Sequence, residues 1–268
     1  MQEFWQVFFG LLIPLLGTTL GAAMVFFLKD GMNDRVKKVL LGFAAGVMIA
    51  ASIWSLLDPS INLAVEAGWG KWSWVPAAIG FLLGVGFLLL IDYIVLKVRP
   101  KVMKRKNIDC SNKYSHKNMK LFMAVTIHNI PEGMAVGVMF AGMLSGSSVI
   151  TFASAMVLSI GMAIQNFPEG GIVSMPLGIC GEMSKKKAFA FGTLSGVVEP
   201  IAAVLAILLL RWVNVLLPYF LSFAAGVMIY VVIEELIPES QLGKHTTWAS
   251  LSLAIGFVVM MILDIALS

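Results

Sequence analysis

Charge is what this chain has least of. Of its 268 residues only 13% are Asp, Glu, Lys or Arg, about half the share of an ordinary soluble domain. With 59% hydrophobic residues and a mean hydropathy of +0.91, too few polar side chains remain to clothe a water-soluble fold, and the class is a polytopic all-α membrane protein. Cysteine is also scarce. Cys110 and Cys180 are the two present, which excludes a disulfide framework and matches no zinc-ligand spacing. The formal charge of +4 and pI near 9.1 do not indicate a nucleic-acid partner, because the Lys and Arg sit in loops beside apolar runs, where anionic lipid headgroups account for them. A cleaved signal peptide is not expected. Met1-Gln2-Glu3 carries no positive charge, and the apolar run from Phe4 to Leu28 exceeds the core of such a peptide.

What is abundant is apolar sequence in pieces long enough to cross a bilayer, about 20 residues each. Eight spans are expected, at 4–28, 39–57, 74–96, 121–144, 148–180, 188–211, 215–237 and 248–267, forming a single polytopic transmembrane domain over 1–268. Alternate loops then collect the positive charge. All of the 19 basic residues except Lys71 and Arg211 fall on one side, most of them in the loop 97–120. Positive residues mark the cytoplasmic face, so that loop is cytoplasmic and both termini lie outside a cell membrane. Trp69, Trp72 and Trp74, ahead of the third span, suit an outer aromatic belt.

The chain repeats itself twice. Phe43-Ala44-Ala45-Gly46-Val47-Met48-Ile49 in the second span recurs residue for residue as Phe223-Ala224-Ala225-Gly226-Val227-Met228-Ile229 in the seventh. Ile127-His128-Asn129-Ile130-Pro131-Glu132-Gly133 in the fourth span has a near copy, Ile164-Gln165-Asn166-Phe167-Pro168-Glu169-Gly170, in the fifth. Both pairings are symmetric about the middle of the chain and join spans that cross in opposite directions. The expected fold is therefore eight helices in a 3+2+3 inverted repeat, an arrangement typical of secondary transporters that bind at the midplane between halves.

The twin segments put carboxylates where lipid should be. An ionisable group at that depth costs about 2.5–3.5 kcal/mol and marks an ion or substrate path. Helical neighbours three and four apart share a face, so Glu132 lies over His128 and Asn129, and Glu169 over Gln165 and Asn166. Facing each other between helices four and five, the two segments offer imidazole nitrogen, amide oxygens and two carboxylates able to bridge adjacent metal positions. Imidazole tips the set toward Zn²⁺ and other transition metals rather than harder cations. Pro131 and Pro168 weaken the helix bonds of Ile127 and Ile164 and turn those carbonyls toward a cavity, while Gly133, Gly170 and Gly171 permit close backbone approach. Glu199, followed by Pro200 in the sixth span, is a third carboxylate at depth. Met48 is either a soft thioether ligand or packing; Glu234 and Glu235 either form an exit site or are solvated helix-end groups. Asp92 and Asp264 read as interfacial or internally bonded, and the loop bearing Asp109, Cys110 and His116 as either a solvated basic loop or a loose metal-binding segment.

These motifs resemble those of the ZIP (Zrt/Irt-like) metal transporters, in particular the bacterial GufA-type branch, and the likeness runs over nearly the whole chain. The resemblance implies a binuclear metal centre between spans four and five. One metal is held by His128, Glu132, Gln165 and Glu169 with Met48 close by. The second is held by Asn129, Glu132, Asn166, Glu169 and Glu199, with both central Glu bridging. Glu235 falls where the family has a carboxylate near the cytoplasmic exit. Asn166 departs from relatives that carry Asp there, and removes one negative charge from the second position. The implied activity is uptake of zinc, with Cd²⁺, Fe²⁺ and Mn²⁺ as further candidates, by an elevator-like shift of one helix bundle against the other, commonly in a dimer. The metal is cargo and no catalytic cofactor is implied. The competing readings are an exporter or channel using the same site, and an intramembrane metalloenzyme. The latter lacks its usual His-Glu-x-x-His helix, because Asn129 follows His128.

Overall fold

The computed structural model describes residues 2–27, 33–98, 110–179, 183–210, 214–243 and 246–267. Among these residues the fold is helical almost throughout and contains no strand. Helix α1 is Gln2–Ala22, continued after a turn at Ala23 by Met24–Phe27. Helix α2 runs from Asp34 to Glu66, α3 is Trp74–Val98, α4 Cys110–Leu144, α5 Phe152–Ile179 and α6 Lys185–Leu210. Helix α7 runs from Leu217 to Ser240, and α8 is Thr246–Leu267. These match the expected spans one for one, with two notable extensions. Helix α4 begins at Cys110 rather than 121, and α2 continues to Glu66 rather than 57. The added turns of α4 are polar and those of α2 interleave Asp58, Ser60, Asn62 and Glu66 with apolar residues, so hydropathy marks where the apolar stretch ends and not where the helix does.

Six helices among the described residues, α1, α2, α3, α6, α7 and α8, are long and apolar enough to cross a membrane by length and composition. The other two, α4 and α5, carry the twin polar segments, whose His, Asn, Gln, Pro and Glu residues dilute their apolar stretches. Both helices continue unbroken through Pro131 and Pro168. Trp69, Trp72 and Trp74 are all exposed, as a belt requires.

Helices pair in a regular way. α1 lies along α5 and α4 along α6, while α2 lies along α8 and α3 along α7. Small residues allow these approaches. A Cβ on Gly46 of α2 would collide with the Leu253 carbonyl oxygen of α8, and one on Gly226 of α7 with the Phe81 carbonyl oxygen of α3. Gly46 and Gly226 are the same residue of the repeated Phe-Ala-Ala-Gly-Val-Met-Ile segment, so the repeat is one of packing as well as of sequence. Contacts of α2 with α5 and of α4 with α7 join the first set of four helices to the second.

Both copies of the repeated segment lead into a π-helical stretch, Ser52–Leu57 in α2 and Val232–Leu236 in α7. The Asp58 N–H reaches back five residues to the Ile53 carbonyl, and the Ile237 N–H does the same to Val232. Pro59 and Pro238 come next and have no N–H to give. The wider turn takes up the register that an α-helix would lose there, and such bulges recur at functional sites. In α2 the stretch aims Ser55 at α8, where its hydroxyl donates to Asp264 at 2.7 and 2.9 Å from the two carboxylate oxygens. Asp264, expected to be interfacial or internally bonded, is the second of these.

Candidate functional site

The fold gathers the polar residues of four helices into one buried cluster. From α4 come Asn129 (0% exposed) and Glu132 (3%); from α5 come Gln165 and Asn166 (both 0%) and Glu169 (8%); from α6 comes Glu199 (1%). The close approach depends on glycine: a Cβ on Gly133 of α4 would strike the Glu199 backbone, and one on Gly170 of α5 would strike the Thr18 carbonyl oxygen of α1. Glu132, Glu169 and Glu199 lie within electrostatic reach of one another.

Hydrogen bonds within the cluster run one way. The Asn129 side-chain amide donates to Glu199 Oε1 at 3.1 Å and to the Ser195 carbonyl at 3.0 Å. The Asn166 amide donates to Glu199 Oε2 at 2.7 Å. With both –NH₂ groups so committed, the two amide oxygens are the free ends. Asn129 Oδ1, Asn166 Oδ1, both oxygens of Glu132 and both polar atoms of Gln165 are buried without a hydrogen-bond partner. Leaving such groups unsatisfied costs about 1–3 kcal/mol each, more for a charged one. Five of these six atoms are oxygen acceptors, which is what a cation satisfies and an anion or apolar ligand cannot.

The expected ligands are therefore not all disposed alike. Among the described residues no three His, Cys, Asp or Glu side chains are grouped so as to hold an ion by themselves, so the amide oxygens are needed to complete any coordination. His128 is mostly buried, and its Nδ1 stands 3.2 Å from Glu235 Oε2 on α7, whose side chain is 47% exposed. The structure thus brings together two expected site residues, one from the fourth span and one from the seventh, that sequence spacing did not connect. Glu234, adjacent in the same π stretch, is exposed. Met48 is fully buried in the apolar core with Met139, Met162 and Met228. Asp109 and the side chains of Asp92, Cys110 and His116 lie outside the described residues.

One member of the cluster was not foreseen. Thr18 of α1 is 0% exposed, and its hydroxyl donates to Glu199 Oε1 at 3.1 Å. The signal available was weak: a small polar pair, Thr18-Thr19, between Gly17 and Gly21 in an otherwise apolar span.

Comparison with known proteins agrees with this chemistry. The family model for the ZIP zinc transporters matches residues 112–264, which spans α4 to α8 and both twin segments. The chain belongs to the ZIP family. Like other ZIP proteins it is a multi-pass membrane protein, and its relatives cover it almost end to end. Zinc transporter ZIP11 of Xenopus tropicalis is 37% identical over 98% of this chain and 97% of its own length. Human zinc transporter ZIP11 is 35% identical over 93% of this chain and 94% of its own length. Zinc transporter GufA of Myxococcus xanthus is 31% identical over 96% of this chain and 98% of its own. The resemblance to ZIP proteins is thus established, and it reaches vertebrate as well as bacterial members.

Proposed function

We propose that this ZIP protein carries divalent transition-metal ions, zinc foremost, through the bilayer by way of the buried cluster between α4 and α5, and that the direction is uptake into the cytoplasm. The observation that carries the reading is the set of buried, unpartnered acceptors on Asn129, Glu132, Gln165 and Asn166, in a chain whose family and relatives bear zinc-transporter names. His128, Glu132, Gln165 and Glu169 form the principal cation position, and Asn129, Asn166 and Glu199 border a second. Met48 contributes to the apolar wall beside them. Glu235 takes the imidazole of His128 when the cation leaves, which places a release step at the α4–α7 contact.

The eight helices form a 3+2+3 inverted repeat in this reading, with both termini outside the cell membrane. α1, α4, α5 and α6 move as one body against α2, α3, α7 and α8. The close pairing within each set and the sparser joins through α2–α5 and α4–α7 support that division. Purified protein in liposomes takes up radioactive zinc saturably, and Glu169→Ala stops it. Undiminished uptake by that variant overturns the site assignment; flux that fails to saturate and follows membrane voltage overturns the carrier in favour of a channel.

A further inference from the structure

Glu199 is the carboxylate of the cluster that is already occupied. Its Oε1 accepts from Thr18 and Asn129 at 3.1 Å each, and its Oε2 from Asn166 at 2.7 Å. A carboxylate offers about four acceptor sites, so three donors leave little for a metal. Glu132 is the opposite case, with both oxygens unpartnered. Two carboxylates of equal depth thus have different jobs.

The placement of Thr18 is built rather than incidental. A Cβ on Gly170 would strike its carbonyl oxygen, and one on Gly196 of α6 would strike its side chain, so glycines on two helices clear the space it fills. Gly133 stands against the Glu199 backbone just as Gly170, the equivalent residue of the twin segment, stands against that of Thr18. Thr18 and Glu199 therefore occupy matching posts against the two twin segments and meet each other, one as hydroxyl donor and the other as acceptor. The hydroxyl has one proton, and Glu199 Oε1 is nearer to it than its other acceptor, the Pro14 carbonyl at 3.4 Å.

We propose that Thr18 is a positioning residue of the transport site: together with Asn129 and Asn166 it holds Glu199 as a hydrogen-bond acceptor, keeps that carboxylate off the cargo, and limits the site to one divalent cation. Charge agrees with geometry. One dication is balanced by Glu132 and Glu169, while the charge of Glu199 is met by its three hydrogen-bond donors. By giving their –NH₂ groups to Glu199, Asn129 and Asn166 leave their own oxygens as acceptors.

The inference rests on the cluster being the transport site, which Glu169→Ala tests separately. Zinc binding to the purified full-length protein is measured by equilibrium dialysis, and transport in liposomes. The wild-type protein binds one zinc per chain. Thr18→Val removes the hydroxyl while keeping the shape; Glu199 is then freed toward the metal, the stoichiometry rises toward two, and KM and kcat fall together by about tenfold as release slows. Thr18→Ser restores wild-type values. In a Glu199→Gln background Thr18→Val changes nothing further. Damage to packing alone would raise KM instead of lowering it, and would not be repaired by serine. Thr18→Ala gives the same readout should the valine methyl crowd Gly196. Two zinc ions bound to the wild type with similar affinity, unchanged constants in both Thr18→Val and Thr18→Ala, or equal defects in the serine and valine variants overturn the proposal. If Glu169→Ala abolishes transport while these results appear, the site stands and the role of Thr18 falls.

Discussion

Replacing Glu132 by Gln should make the metal-free protein more stable and the zinc-loaded one less so. Glu132 is 3% exposed and neither of its oxygens has a partner. A carboxylate in that condition costs about 2.5–3.5 kcal/mol at membrane depth. The isosteric amide keeps the shape and drops the charge, at the cost of a neutral unsatisfied group of about 1–3 kcal/mol. The net gain for the empty protein is about 1–2 kcal/mol, or roughly 2–6 °C in melting temperature for a chain of this size. Zinc acts the other way. At a hundredfold excess over Kd it stabilises the wild type by about 2.7 kcal/mol, about 5–10 °C, and the variant should lose at least half of that shift. The seven Trp residues give an intrinsic fluorescence signal for thermal scans in detergent, run with chelator and then with titrated zinc. A variant that melts below the wild type when empty yet gains the full shift with zinc refutes the argument, because Glu132 would then be structural and not a ligand.

Other outcomes follow from single contacts. Gly170→Ala puts a methyl into the Thr18 carbonyl of α1; overpacking of this kind costs about 1–3 kcal/mol, and a lower melting temperature with weakened zinc uptake should be seen. Glu235→Gln takes the charge from the partner of His128 and should lower kcat several-fold with zinc affinity little changed, whereas His128→Ala should weaken binding at least tenfold; equal KM effects in the two would place Glu235 among the binding ligands. Ser148, in the α4–α5 connection, hydrogen-bonds Glu66 at the end of α2, a link between the two helix sets. With Cys110 and Cys180 replaced, cysteines at 66 and 148 joined by a short bifunctional reagent should arrest transport, and a reducible linker should restore it on cleavage; full activity of the linked protein would rule out relative motion of the two sets at that edge.

Much of this was legible beforehand, for identifiable reasons. Apolar runs announce membrane helices because lipid offers backbone polar groups no partner, and each of the eight expected spans is helical over most of its described residues. The twin segments stood out because Glu132 and Glu169 break an otherwise apolar pattern, and they do come together. What escaped notice was set by contacts between distant parts of the chain. Nothing local in Gly17-Thr18-Thr19 says that the Thr18 hydroxyl will meet Glu199, and nothing near His128 points to Glu235. The π stretches were hidden as well, although Pro59 and Pro238, each just past a copy of the same segment, were the available sign. The added turns of α4 from Cys110 escaped because a polar stretch of helix leaves no trace in hydropathy.

The likeness of the two repeated segments makes their divergence informative. Phe43–Ile49 and Phe223–Ile229 are identical, pack through equivalent glycines, and lead into π stretches at the same offset. At matching positions of those stretches, however, α2 carries Ser55 and α7 carries Glu235. Ser55 is buried and spends its hydroxyl on Asp264, tying α2 to α8 within its own set. Glu235 is half-exposed and reaches His128 on α4, across to the other set. One end of the repeat is closed by an internal bond and the other engages a residue of the proposed cargo site. A like contrast holds between Thr18, set against Gly170, and Glu199, set against the equivalent Gly133: one is a donor and the other its acceptor. A symmetric frame by itself favours neither direction of travel. The residues that distinguish entry from release are thus to be sought where the two halves differ, and Ser55 against Glu235, Thr18 against Glu199 and His128 against Gln165 are such positions.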